Sequence, residues 1–228
     1  MTGVVVIIPA FNEENAVGKV IADIPQDEVD EIIVVNNNSR DKTSEVALDK
    51  GATVLDEPRQ GYGRACLKGM EYVAAKKLLP ETIVFLDADY SDYPHQMIDM
   101  IRPIQNNQVD FVVGSRALGN REKRAMTIPQ VVGNWIATRM LKWMYEVNYT
   151  DLGPFRAIRY SSLVALNMKD KTYGWTVEMQ AKAAKMNLRY AEIPVDYRKR
   201  IGKSKVSGTI KGTVLAGYKI ITTILKNR

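Results

Sequence analysis

Short apolar runs alternate with helical patterns along the first half of the chain, and this alternation constrains the fold more than any other feature. Five runs are strand candidates: Val4–Ile8, Glu31–Val35, Ala52–Leu55, Thr82–Leu86 and Asp110–Val113. Runs this apolar are typical of strands that helices cover on both faces. The alternation therefore predicts an α/β fold with a mostly parallel central sheet and helices on both faces.

Longer helical patterns take over beyond about Asn134. Helices are predicted over Trp135–Tyr145 and Thr176–Met186, followed by a strand near Leu188–Val195. The chain has 228 residues and no internal repeat. We therefore expect one domain over residues 1–205 and a basic amphipathic C-terminal helix over residues 206–228.

The positive charge of the chain is concentrated at its C-terminal end. The formal net charge is +6, yet Arg198–Arg228 contains nine Lys or Arg and no Asp or Glu. Without these nine charges the first 197 residues carry about −3. Because this tail lacks interleaved exposed aromatic residues, nucleic-acid binding is not expected.

Cysteine and histidine usage excludes other classes of protein. The single cysteine, Cys66, allows no internal disulfide, and His95 is the only histidine. Zinc chemistry is therefore not expected, and a reducing cytosol fits. We expect neither a signal peptide nor a transmembrane span, since no run approaches roughly 18 to 20 apolar residues.

The sharpest chemical feature is the pair Asp87 and Asp89, directly after an apolar strand candidate. In open parallel sheets, ligands bind beyond the carboxyl ends of the strands. Two hard oxygen donors at such a place suit Mg²⁺ or Mn²⁺ together with a diphosphate. The alternative is a turn that caps the helix after Pro94.

Other polar side chains follow the remaining strand candidates. Amide and hydroxyl groups at Asn36, Asn37 and Ser39 suit a nucleobase or ribose, although an ordinary turn also explains them. Gly61 and Arg64 belong to a loop that could approach a phosphate.

Three charged residues have both a functional and a structural interpretation. Arg116 could bind a phosphate in a bidentate manner or form a surface ion pair. Asp151 and Glu178 lie among apolar neighbours, where burial requires either a role or an ion-pair partner.

The motifs taken together resemble the inverting family 2 glycosyltransferases. Within that family the chain is most similar to polyprenyl-phosphate sugar transferases such as dolichyl-phosphate mannose synthase. The resemblance covers nearly the whole chain in order. It is carried by residues 8–13, 36–43, 87–89, 114–116, 153–156 and 200–205.

The resemblance implies a GT-A fold in which Asp87 and Asp89 hold the metal and the donor diphosphate. It also implies that Arg116 and Arg200 meet donor or acceptor phosphates. The expected donor contacts are Pro9, Ala10, Phe11, Glu13, Asn36, Asn37, Ser39, Gly61, Arg64, Asp87, Ala88, Asp89 and Arg116. The expected catalytic residues are Asp89, Asp151, Glu178, Arg116 and Arg200.

The tail predicts a helix at a membrane interface. Five of its apolar residues fall within a stripe about 80° wide at 100° per residue, and lysines lie beside the stripe. The stripe comprises Ile210, Val214, Tyr218, Ile221 and Leu225, and the lysines are Lys211, Lys219 and Lys226. A helix that simply packs on the domain is the alternative.

The main hypothesis is transfer of a hexose from a UDP- or GDP-sugar to a polyprenyl phosphate, at the cytoplasmic face of a membrane. Such a phosphate is already a nucleophile at neutral pH and needs no general base. A soluble hydroxyl acceptor, with Asp151 or Glu178 as base, is an alternative. A non-catalytic nucleotide-sugar-binding subunit is another. The sequence leaves the base, the sugar and the oligomeric state open.

Overall fold

A seven-stranded sheet organises the chain. The structure is a computed structural model that describes residues 3–202 and 210–228. The strand order is β3-β2-β1-β4-β6-β5-β7. The strands are β1 (Val4–Ala10), β2 (Glu31–Asn36), β3 (Thr53–Asp56), β4 (Thr82–Phe85), β5 (Phe111–Ser115), β6 (Arg156–Arg159) and β7 (Tyr190–Pro194).

Only β6 runs against its neighbours, pairing antiparallel with both β4 and β5. The other described pairings are parallel, so the predicted α/β class with a mostly parallel sheet is confirmed.

Helices cover both faces of the sheet. They are α1 (Val17–Asp23), α2 (Thr43–Asp49), α3 (Tyr62–Ala74), α4 (Met97–Gln105), α5 (Ile128–Tyr145), α6 (Tyr160–Leu166), α7 (Trp175–Lys185) and α8 (Ile210–Lys226). Residues of α1, α2 and α4 join one buried cluster, and residues of α3 and α5 to α8 join the other. Successive residues of β1 alternate between the two clusters, which is why the whole strand is apolar.

Two elements near the middle of the chain differ from the prediction. Helix α5 begins at Ile128, earlier than Trp135, because Thr127 and Gln130 form a capping box ahead of it. Strand β6 has two arginines in four residues and therefore gives no apolar signal. Its Arg156 is nevertheless fully buried, because the guanidinium donates hydrogen bonds to the carbonyl groups of Thr176 and Leu152.

The C-terminal helix α8 packs on α5 and α7. Ile224 is buried there, and the hydroxyl of Tyr145 donates a hydrogen bond to the Ile224 carbonyl over 2.7 Å. Tyr218, Ile221 and Leu225 of the predicted stripe remain exposed. The side chains of Ile210, Lys211 and Val214, and the boundary at residues 205 and 206, lie outside the described part of the chain. No helix in the described ranges is both long and apolar enough to cross a membrane.

Close packing of α3 on β1 gives a first test of the fold. A Cβ atom added at Gly69 would lie 2.7 Å from Cγ2 of Ile7, which is too close. We expect Gly69→Ala to lower the free energy of unfolding by about 1 to 3 kcal/mol, measured by urea denaturation. Gly133 in α5 has open space around it, so Gly133→Ala should be neutral or stabilising. Equal stability of the two variants would contradict this packing.

Candidate functional site

The carboxyl ends of β1, β2 and β4 meet at one edge of the sheet and form a pocket, here called the strand-end pocket. It is lined by Pro9, Ala10, Phe11, Glu13, Asn37, Gln60, Gly61, Tyr62, Asp87, Ala88, Asp89, Tyr173 and Arg200. Nine of the thirteen predicted donor contacts are in this set, together with Arg200. Asn36, Ser39, Arg64 and Arg116 are not among its lining residues.

The acid pair lies at the base of this pocket. The Oδ1 atom of Asp87 is buried and makes no hydrogen bond of normal length within residues 3–202 and 210–228. Oδ1 of Asp89 accepts hydrogen bonds from the backbone N–H and the hydroxyl of Ser91, over 2.9 and 2.5 Å. Burial and the neighbouring charge of Asp89 raise the pKa of Asp87 to about 7, and a longer interaction with the Tyr62 hydroxyl lowers this pKa by less. The pair thus holds more negative charge than its surroundings neutralise.

A divalent cation fits this arrangement. The buried Oδ1 atom of Asp87 and the carboxylate of Asp89 are hard donors of the kind that Mg²⁺ and Mn²⁺ prefer. Among the described residues, no group of three Asp, Glu, His or Cys side chains could hold a metal by itself. The remaining ligands would therefore come from water and a bound diphosphate, which is how Mg²⁺ is commonly held.

Arg200 supplies positive charge directly beside the acid pair. Its guanidinium lies 3.1 Å from Oδ2 of Asp89 and donates to Oε1 of Glu13 over 2.7 Å. Glu13 and Arg200 are 187 positions apart in the sequence, so only the fold brings them together. Arg200 is thus positioned to contact a phosphate bound beside Asp89.

The segment that carries Arg200 is fastened to the loop after Asp89. The Arg198 guanidinium lies between two aromatic rings, 3.3 Å from the centroid of Tyr90 and 4.2 Å from that of Tyr93. Its Nε donates to the carbonyl of Tyr90, and its backbone N–H donates to the carbonyl of Ser91. These contacts hold Arg200 at the mouth of the pocket.

Asn37 organises the loop that precedes α3. Its side-chain nitrogen donates to the carbonyl groups of Glu57 and Arg59, over 3.0 and 2.8 Å. Its side-chain oxygen accepts from the backbone N–H of Gly61 over 2.7 Å. Because the amide is engaged with the backbone, its observed contacts position Gly61 against the pocket.

The neighbouring polar residues also bond within the protein. The amide of Asn36 donates to Asp56 and accepts from the backbone N–H of Ser39. The hydroxyl of Ser39 accepts from the backbone N–H of Asn12. Their observed hydrogen bonds shape the loops behind the pocket.

Arg116 and Asp151 form a buried bidentate ion pair. Nε and Nη2 of Arg116 each lie 2.7 Å from an oxygen of Asp151. Burial raises the pKa of Asp151, but the charge and hydrogen bonds of Arg116 outweigh burial, so the pKa lies below its usual value.

Glu178 is also engaged elsewhere. It accepts hydrogen bonds from the backbone N–H groups of Lys169 and Asp170 and pairs with Lys182 over 2.7 Å. Both carboxylates that the sequence suggested as general bases are therefore held in ion pairs, and neither lines the strand-end pocket.

Sequence reasoning did not assign Tyr62 and Tyr173 to the site. Tyr62 lies between Gly61 and Arg64 in the loop that the sequence predicted to approach a phosphate, so the loop itself was a usable signal. Tyr173 lies in the connection between α6 and α7, and nothing in the local sequence connects it with the pocket.

Asp92 is a further carboxyl group close to the acid pair. It is 2% exposed, and both of its oxygens lack a hydrogen-bond partner in the part of the chain that the structure describes. Burial, followed by the charges of Asp87 and Asp89, raises its pKa well above the usual value. Such a group destabilises the folded state at neutral pH.

Comparison with known proteins identifies the class to which this fold and site belong. The sequence profile described as Glycosyl transferase family 2 matches residues 5–166. An uncharacterized glycosyltransferase of Mycobacterium tuberculosis is 33% identical over 216 residues, covering 93% of this chain and 94% of that protein. A dolichyl-phosphate hexose transferase of Haloferax volcanii is 31% identical, and the alignment covers 98% of this chain and 94% of that protein. An undecaprenyl-phosphate mannosyltransferase of Micrococcus luteus is 27% identical, and the alignment covers 92% of this chain and 89% of that protein.

Solved structures show the same fold. Glucosyl-3-phosphoglycerate synthase from M. tuberculosis, crystallised with Mn²⁺, UDP and glucosyl-3-phosphoglycerate, aligns with a TM-score of 0.74 and 20% identity. The alignment covers 98% of this chain and 79% of the synthase. The chain belongs to glycosyl transferase family 2 and is a glycosyltransferase. Its fold is GT-A, as the sequence resemblance implied.

Asp92 gives a prediction about stability and pH. The folded state keeps a proton on Asp92 that the unfolded chain releases above the ordinary pKa, so this group lowers stability as pH rises through that window. Asp92→Asn does not titrate. The stability of the variant relative to the wild type should therefore be greater at about pH 7.5 than at about pH 5. We expect this difference to increase by on the order of 1 kcal/mol, or about 2 to 4 °C in melting temperature.

The exposed Asp99 provides the matched control, since its side chain is 66% exposed. Asp99→Asn should show no such change with pH. A melting temperature of Asp92→Asn that tracks the wild type at both pH values would rule out a raised pKa at Asp92.

Proposed function

We propose that the protein transfers a hexose from a UDP- or GDP-sugar to a polyprenyl phosphate, with inversion and with Mg²⁺ or Mn²⁺. The observation that carries the proposal is the incompletely neutralised acid pair, Asp87 and Asp89, beside Arg200 in the strand-end pocket. That arrangement suits a metal-bound diphosphate.

In the donor half of the site, Asp87 and Asp89 would hold the metal, and Arg200 would contact the diphosphate. A bound divalent cation neutralises the charge that develops as the diphosphate leaves. The crystallised synthase that shares this fold is described with Mn²⁺ and UDP, which supports the assignment. Tyr62 and Tyr173 provide aromatic surface at the walls.

The transfer step exchanges one bond for another at the anomeric carbon. An oxygen of the acceptor phosphate forms the new bond from the face opposite the donor diphosphate. The old carbon–oxygen bond breaks, and its electron pair leaves with the diphosphate. A phosphate monoester, with a second pKa of about 6, needs no side chain to remove a proton. This agrees with the ion-paired state of Asp151 and Glu178.

The outer face of α5 favours a lipid acceptor. Ile128, Trp135 and Trp143 are 81%, 59% and 80% exposed. With the exposed Val131, Val132 and Ile136 they fall within an arc of about 140° at 100° per residue. The helix has no acidic residue. Apolar and tryptophan side chains on one helix face are typical of a helix that lies in a membrane interface.

Two cations complete the α5 face. Arg139 and Lys142 are exposed and fall within the same arc, so the face is complementary to anionic lipid head groups. Helix α8, which packs against α5, exposes Tyr218, Ile221 and Leu225. The proposed partner of this surface is the cytoplasmic face of a bilayer with anionic lipids, and the protein would bind it peripherally.

A soluble acceptor that reacts through a hydroxyl group is the second candidate. It is favoured by the structural likeness to glucosyl-3-phosphoglycerate synthase. The same acid pair and Arg200 would serve either acceptor, so only the partition of the product distinguishes them.

The acid pair gives the first functional prediction. We expect Asp89→Ala to reduce hexose transfer by at least about 100-fold, because the metal and diphosphate lose a ligand. The assay incubates labelled UDP- and GDP-hexoses with Mn²⁺ and polyprenyl phosphate, and measures label in the organic phase. Asp99→Ala, on an exposed surface, should retain wild-type activity. Undiminished transfer by Asp89→Ala would refute the metal assignment, and label confined to a soluble product would favour the second candidate.

The α5 face gives a separate prediction. The double variant Ile128→Glu, Trp143→Glu should lose most of its sedimentation with vesicles that contain phosphatidylserine, because two charges enter the apolar face. Leu48→Glu serves as the matched control, since Leu48 is 58% exposed on α2, across the sheet. Unchanged sedimentation would contradict a membrane role. Loss of a dimer in light scattering without vesicles would instead identify this face as a contact between two copies.

A further inference from the structure

The connection between α6 and α7, residues 168–174, is folded around two carboxylates. Oε2 of Glu178 accepts a hydrogen bond from the backbone N–H of Asp170 over 2.7 Å. Oδ1 of Asp170 accepts from the backbone N–H groups of Thr172 and Gly174, over 2.7 and 3.1 Å. The conformation of this connection therefore depends on the position of the Asp170 side chain.

The same connection packs directly on the start of α3. The backbone N–H groups of Gly63 and Arg64 donate to the carbonyl groups of Thr172 and Lys171, over 3.3 and 3.2 Å. A Cβ atom at Gly61 would lie only 2.2 Å from the carbonyl oxygen of Lys171. Backbone therefore meets backbone here, and movement of the connection must move the loop that begins α3.

Three residues of these two segments line the strand-end pocket, namely Gly61, Tyr62 and Tyr173. One wall of the pocket is thus built from the start of α3 and the connection together. Its shape depends on Asp170, although Asp170 does not itself line the pocket.

The C-terminal helix α8 holds the other oxygen of Asp170. Nζ of Lys219 lies 2.8 Å from Oδ2 of Asp170, whose side chain is only 6% exposed. Next to this pair, a Cβ atom at Gly174 would lie 2.5 Å from both Oδ2 of Asp170 and the hydroxyl oxygen of Thr223 on α8. Lys219, which the sequence suggested as a membrane-facing lysine, is therefore paired with Asp170.

We propose that Asp170 is a positioning residue for the donor wall of the pocket, and that Lys219 on α8 keeps it in place. Through this pair the C-terminal helix sets the affinity for the nucleoside diphosphate part of the donor. The inference rests on the proposed function, because it concerns donor binding.

The expected effect of removing Lys219 follows from the contacts. Without its cation, Oδ2 of a buried carboxylate loses its partner, and the side chain reorients toward water. The backbone bonds to Thr172 and Gly174 weaken, and the wall formed by Gly61 and Tyr173 loosens. The acid pair and Arg200 are untouched, so donor binding should suffer while the chemical step does not.

The test compares Lys219→Met with a matched variant on α7. Lys185 also ties α7 to the residues that follow α8, through a hydrogen bond from its Nζ to the carbonyl of Arg228 over 3.1 Å, but no ion pair joins it to Asp170. Calorimetric titration with UDP and with GDP, each with Mn²⁺, gives the Kd. We expect Lys219→Met and Asp170→Asn to weaken binding by about fivefold or more, and Lys185→Met to leave it unchanged.

Steady-state kinetics separate positioning from general damage. Lys219→Met should raise the donor KM by the same factor while kcat stays within about twofold. Lys219→Arg should restore both, since it keeps a cation near Asp170. Should Asp170→Asn fail to fold, Lys219→Met and Lys219→Arg still decide the matter, because both change only α8.

Three results would overturn the inference: a wild-type Kd for Lys219→Met, an equal loss in Lys185→Met, or a fall in kcat without a change in KM. A wild-type protein that binds neither UDP nor GDP would instead refute the proposed donor function. The two failures are therefore distinguishable.

Discussion

Two carboxylates placed side by side at the end of a buried strand are the constraint on which the site depends. Burial disfavours the charged form of Asp87, and the negative charge of Asp89 repels it, so both raise the pKa of Asp87. Arg200 neutralises only part of this charge. A site with this excess negative charge attracts cations. In a glycosyltransferase, a cation bound there can stabilise the charge on a departing diphosphate.

Two carboxylates that the sequence suggested as general bases are paired with cations, and this pairing narrows the chemistry. Asp151 is matched by Arg116, and Glu178 by Lys182. If Asp151 or Glu178 were to deprotonate an acceptor hydroxyl, it would first have to leave its ion pair. An acceptor phosphate asks for positive charge and orientation only, which agrees with the exposed apolar and cationic face of α5. The ion pairs of Asp151 and Glu178 and the exposed face of α5 thus both favour the proposed lipid-phosphate acceptor.

Much of the site could be predicted because its residues follow strands. Pro9, Glu13, Asn37 and Asp89 all lie at or shortly beyond the ends of apolar runs, and parallel strands bring their carboxyl ends to one edge. Arg200 was found only through its resemblance to a family motif, and Tyr173 was not found. Arg200 and Tyr173 are far from the acid pair in the sequence. Local sequence patterns predict only neighbours within a strand or a helical turn, so they cannot predict that these residues share a pocket with Asp87 and Asp89.

The sequence by itself determined the α/β class, the mostly parallel sheet and the acid pair at its edge, because alternation and strand-end position are local properties. Tertiary structure alone decided which charges were free to act. The sequence left Asp151 and Glu178 open between a catalytic role and an ion pair, and it suggested Lys219 as a membrane-facing lysine. In the fold each of the three is engaged by a partner. The physical reason is that an ion pair depends on where two side chains meet in space, and a one-dimensional pattern does not record that meeting.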